Sequence, residues 1–160
     1  MANNDMQVFP AENILKINHV KTELAAKSEN VSLARVIVAA FITPYDITVN
    51  GTTDIKTAVS EAVTNAIIHG YGEMEGIVTM SLTISENNSA EKFLSIEVTD
   101  NGIGIENVKN AMEPLYTTKL DMERSGLGFT VMESFMDKVE VFSSLGGGTT
   151  VKMYRKLGGA

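Results

Sequence analysis

Cysteine is absent from the 160-residue chain, which excludes disulfides and thiolate metal sites. Histidine is scarce: His19 and His69 lie too far apart in sequence to suggest a metal pair, and His69 suits a helix C-terminus. Long apolar runs are missing as well. The longest, "VIVAAFI" (36–42), falls far short of the ~20 residues a membrane-spanning helix needs. The opening "MANNDMQVFP" has none of the basic-then-apolar pattern of a secretion signal, so the expected home is a reducing cytoplasm, with no membrane partner. Cations are outnumbered, 13 Lys and Arg against 20 Asp and Glu, for a net charge of −7. Broad nucleic-acid binding needs phosphate neutralisation, so no direct nucleic-acid partner is expected. An anionic ligand held by a few local cations and backbone N–H groups stays possible. Neither a Walker loop nor a G-x-G-x-x-G dinucleotide fingerprint occurs.

What is present fits one domain with one ordinary core. Residues 1–18 read as an extension, although "ILKI" (14–17) could pair locally; 19–155 carry the patterned elements and 156–160 form a tail. "HVKTELA" (19–25) alternates as an edge strand, with Val20, Thr22 and Leu24 on one face. "SENVSLARVIVAAFIT" (28–43) is a helix with starters at Ser28 and Asn30, stopping before Pro44. A loop follows over 44–53. The next helix runs from near Thr53 to His69-Gly70, with Ile55, Val59, Ala62, Val63, Ala66 and Ile67 as its buried stripe and Gly70 as a left-handed cap. Strands at 76–84 and 93–99 form a hairpin, then come a short helix (105–112), a loop (113–126), a helix (127–138) and a closing hairpin (139–155). The fold class is α/β: a two-layer sandwich of a mixed, mostly antiparallel sheet with helices on one face.

Four stretches carry chemistry. In "SEAVTNAIIHGY" (60–71), Glu61 and Asn65 stand about 40° apart on a helix, away from its apolar stripe. Asn65 can give a neutral oxygen to a hard cation, and Glu61 can accept a proton. Taken alone, such a pair is more often a solvated helix face. "DNGIG" (100–104) directly follows a strand: Asp100 can accept from an exocyclic amine, and Gly102 and Gly104 let a flat ring approach the backbone. An ordinary strand-to-helix turn would use the same residues. "RSGLGF" (124–129) opens a helix whose N-terminal N–H groups suit phosphate. Just before it, Thr117, Thr118, Lys119 and Arg124 offer hydroxyls and cations to a polyphosphate, or simply face solvent.

In order, Glu61-x-x-x-Asn65, Asp100-x-Gly102-x-Gly104, Gly126-x-Gly128-Phe129 and Gly148-Thr149-Thr150 resemble the ATP-binding boxes of the GHKL superfamily. That group includes gyrase, the MutL repair proteins, a heat-shock chaperone and sensor histidine kinases. "SEAVTNAIIHGY", "PLYTTK" and "ERSGLGF" resemble more narrowly the anti-sigma factor serine kinases, and "KSEN" (27–30) and "ARVIVAAF" (34–41) extend the likeness to about residues 19–155. Val31 and Leu33 depart from the family pattern, which more often has an acidic residue and Phe there.

The resemblance implies the GHKL fold, with ATP and Mg²⁺ as cofactors. It implies Asn65 as metal ligand and Asp100 as reader of the adenine amino group, with Gly104 and Thr149 or Thr150 lining the base pocket. Thr117, Thr118, Lys119, Arg124, Ser125, Gly126 and Gly128 would hold phosphates as a lid closes. Glu61 would be the general base toward a protein serine. Arg35 would touch partners. The implied partners are a sigma factor of the sporulation (sigma F) type, an anti-anti-sigma protein as substrate, and a second copy in a homodimer formed through the first strand and helix. Alternatives are a general-stress anti-sigma kinase, a sigma-holding module without turnover, and the catalytic half of a histidine kinase.

Overall fold

The computed structural model describes residues 14–114 and 127–158. Strand β1 (Leu15–Ala25) is followed by helices α1 (Asn30–Ile42) and α2 (Val49–Asn65), and α2 runs on into a π-helical turn (Ala66–Tyr71). Strands β2 (Ile77–Glu86) and β3 (Lys92–Asp100) come next, then the short helix α3 (Val108–Ala111), α4 (Gly128–Phe135), β4 (Lys138–Ser143) and β5 (Thr149–Leu157). The strands form one sheet in the order β1-β2-β3-β5-β4. All four pairings are antiparallel, so the sheet is antiparallel throughout rather than mixed, with no parallel pair among the described residues.

Alternation along the strands decides which face is covered. Val78, Met80, Leu82 and Ile84 of β2 are fully buried, while Thr79, Ser81 and Thr83 between them are half exposed. Register carries the buried band across the sheet: Met80 faces Val98, Leu82 faces Ile96, and these face Val151 and Met153. The helices cover this band with Ala34, Val38 and Ile42 from α1 and Ile55, Val59, Ala62 and Val63 from α2. Burying each large aliphatic side chain contributes about 1.5–3 kcal/mol. The partly exposed ion pairs, such as Lys92–Glu86 at 3.0 Å and Lys152–Glu97 at 3.3 Å, contribute about 0–1 kcal/mol each. The apolar layer therefore holds the fold.

Several boundaries differ from the sequence reading, each for a local reason. Strand β1 begins at Leu15, paired with Glu86, so residues 15–18 belong to the sheet rather than to an extension. Helix α2 begins at Val49, because extended Thr48 caps it and accepts from the Gly51 N–H at 3.0 Å. Asn30 does not cap α1 with its side chain, which donates to the Ala25 carbonyl at 2.8 Å. Gly70 is not the left-handed cap. The wider π-turn carries the helix past it, and Gly72, at φ 63°, ends the helix with its N–H on the Ile67 carbonyl.

Candidate functional site

Helix α2 lies against the sheet, which turns Glu61 and Asn65 sideways from the core, and both are half-buried. The N-terminus of α4 crosses above them. A β-carbon built on Gly128 would fall 3.1 Å from Asn65 Nδ2 and 3.3 Å from Glu61 Oε2. The structure therefore brings together Glu61, Asn65 and Gly128. A side chain at 128 would fill the gap that separates the backbone of α4 from the carboxylate and the carboxamide.

Asp100 ends β3 on the helix-covered face and is only 4 % exposed. Burial pushes its carboxyl pKa above the ordinary aspartate range, and N–H groups of Gly102 and Thr149 partly offset the shift. The Gly102 N–H donates to Asp100 Oδ1 at 2.9 Å. Two glycines make room for this arrangement. A β-carbon on Gly70 would stand 2.7 Å from Asp100 Cγ and Oδ1, and one on Gly102 would stand 2.0 Å from the Gly70 carbonyl oxygen. The π-turn and the Asp100 turn thus touch backbone to backbone, and the Ile103 N–H donates to the Gly70 carbonyl at 2.9 Å. Gly104, at φ 73°, lies with its α-carbon against the Ser144 carbonyl.

Strand pairing separates the two threonines. Thr149 faces Asp100 across β3–β5, so its side chain shares that face; Thr150 faces Thr99 on the open side, and their hydroxyls lie 3.0 Å apart. Of the pair, Thr149 joins the site and the Thr150 side chain does not. Arg35 reaches α2 instead of standing free: its guanidinium donates to Ser60 Oγ at 2.7 Å, one residue before Glu61. Thr117, Thr118, Lys119, Arg124, Ser125 and Gly126 lie outside the described residues.

Three residues of this site escaped the sequence reading. Gly70 looked like a helix cap but serves as clearance for Asp100. Ser143 ties the loop and the hairpin: it accepts from the Ile105 N–H at 2.8 Å and donates to the Gly148 carbonyl at 2.8 Å. Its one proton is then used, so Thr149 Oγ1, 2.8 Å away, is the donor in that contact. Tyr71 is the third; its hydroxyl meets the Asn101 N–H at 2.8 Å. A tyrosine following Gly70 at the end of a helix was the available signal for it.

The arrangement suits a nucleotide. A buried carboxylate beside a glycine-lined turn can accept from a ring amine, and a carboxylate and carboxamide beneath a helix N-terminus can serve the phosphate end. Comparison with known proteins agrees. Residues 24–155 match the model of the histidine kinase-like ATPase domain. An anti-sigma F factor of Clostridium novyi is 56 % identical over 141 residues, covering 88 % of this chain and 95 % of the relative. One from Clostridium acetobutylicum is 54 % identical over 140 residues, covering 88 % and 94 %. Among solved structures, the mycobacterial sensor histidine kinase MprB superimposes with a TM-score of 0.51 at 14 % identity, covering 86 % of this chain and 98 % of that one, a likeness of fold. The chain belongs to the histidine kinase-like ATPase domain family and, within it, to the anti-sigma F factors.

Proposed function

We propose that this protein is an ATP-dependent protein-serine kinase that also holds a sigma factor of the sigma F type, and that its substrate is the anti-anti-sigma protein that antagonises it. The observation that carries the reading is the placement of Glu61 and Asn65 together beneath Gly128. Holding a nucleotide calls for Asn65, Asp100 and the glycines, whereas a carboxylate beside the phosphate end is what a phosphotransfer base requires.

In this reading Asp100 accepts from the adenine amino group, with Thr149 and Gly104 beside it. Asn65 would hold Mg²⁺, which when bound would offset the charge of the phosphates. Glu61 takes the proton of the acceptor serine as its oxygen bonds the γ-phosphorus, the β–γ bridge opens and ADP leaves. Gly128 and the preceding Thr117, Thr118, Lys119, Arg124, Ser125 and Gly126 are assigned to the phosphates.

Arg35 is assigned to partner contact, and a homodimer through β1 and α1 is supported by the exposed Leu15, Leu33 and Val36 on those elements. No described helix is long and apolar enough to cross a membrane, and the proposed site of action is the cytoplasm. One incubation tests the reading: the protein with ATP, Mg²⁺, a sigma F-type factor and its anti-anti-sigma protein. Expected are an ATP-dependent complex with the sigma factor and phosphoserine on the anti-anti-sigma protein. Acid-labile phosphate, or none, would overturn the serine-kinase assignment.

A further inference from the structure

We propose that Tyr71 is the positioning residue that sets the nucleotide-base specificity of this site, by holding the turn on which Asp100 depends. The proposal rests on the reading of Asp100 as the group that accepts from the adenine amine. Tyr71 closes the π-turn that continues the helix of Glu61 and Asn65, and it is only 7 % exposed. Its hydroxyl does two things at once. It donates to the Ile77 carbonyl at 2.6 Å, at the start of β2, and accepts from the Asn101 N–H at 2.8 Å. The ring has little freedom: a β-carbon on Gly76 would fall 2.2 Å from its Cε1.

Consecutive backbone N–H groups of the turn therefore have fixed partners. Asn101 is held by Tyr71 and Gly102 by Asp100 Oδ1. The Asn101 N–H belongs to the peptide that joins Asp100 to Asn101, so the Tyr71 hydroxyl fixes the peptide unit between the Asp100 carboxylate and the Gly102 N–H that it accepts from, and with it the direction in which Asp100 presents its oxygens. The phenol also links three elements that belong to different parts of the chain. It connects the end of the Asn65 helix, the first residue of β2 and the turn after β3. A π-turn is a rare local geometry, frequently found at functional sites. Here it delivers this side chain to the base-reading turn.

The test is Tyr71→Phe, which keeps the ring and removes both hydrogen bonds. Affinity is measured for Mg·ATP and for Mg·purine riboside triphosphate, the same nucleotide without the exocyclic amine, in wild type, Tyr71→Phe and Asp100→Asn. Wild type is expected to favour ATP. Tyr71→Phe is expected to lose about tenfold in ATP affinity and little for the analogue, so the preference collapses toward that of Asp100→Asn. Amide exchange at Asn101 should quicken in the same variant. A lower melting temperature with the ATP preference intact would overturn the proposal and leave Tyr71 merely structural. A preference lost in Asp100→Asn but kept in Tyr71→Phe would do the same while sparing the reading of Asp100. Equal affinities in wild type would defeat that reading itself, and this proposal with it.

Discussion

The Asp100 carboxylate leaves no room for a β-carbon at Gly70, which would come within 2.7 Å of Cγ and Oδ1. These residues lie thirty positions apart, at the end of one helix and the end of β3, yet the site needs them in contact. Gly70→Ala is expected to displace the carboxylate, weaken ATP binding by tenfold or more, and cost about 1–3 kcal/mol of stability through overpacking. Calorimetric titration with ATP and a denaturant melt would check both. Unchanged ATP affinity would mean that the contact has no bearing on the base pocket.

The buried Asp100 gives a signed pH dependence. Its carboxyl pKa is raised by burial, so the folded state binds this proton more tightly than the unfolded state. The resulting penalty on folding is full above the folded pKa and fades as pH falls through it toward the ordinary aspartate range. Asp100→Asn removes the penalty. The melting temperature of the variant minus that of wild type should therefore decline as pH is lowered from about pH 7. ATP affinity of wild type should fall in the same window, because a protonated carboxyl loses its anionic acceptor. A difference in melting temperature that stays constant with pH would contradict the assignment.

Much of this was legible from residue patterns. The strict alternation of Val78, Met80, Leu82 and Ile84 announced a one-faced strand, and the stripe from Ile55 to Ala66 announced which side of α2 is buried. The same alternation through Val151 and Met153 also fixes Thr149 on the buried face and Thr150 on the open one, a signal present in the sequence but not used. Asn50-Gly51 reads locally as a turn, whereas in the fold it lies in the first turn of a helix capped by Thr48. The π-turn has no local signature. Its extra residue is stabilised by contacts with a strand end distant in sequence, so neither the clearance at Gly70 nor the bridge from Tyr71 could be read from spacing.

Asn65 separates metal binding from nucleotide binding. Asn65→Ala removes the carboxamide oxygen assigned to Mg²⁺ while leaving Asp100 and its turn untouched. ATP affinity in the presence of Mg²⁺ is expected to drop by about tenfold or more, and affinity in EDTA to change little. Equal losses under both conditions would show that Asn65 supports the fold of α2 rather than the metal.

The most direct test of the account is a single-turnover measurement of phosphoserine formation on the anti-anti-sigma protein by wild type and Glu61→Ala, with ATP affinity measured alongside. The account predicts that transfer falls by about 10²–10⁴-fold while ATP binding is retained. Transfer at the wild-type rate in the variant would contradict the assignment of Glu61 as the base.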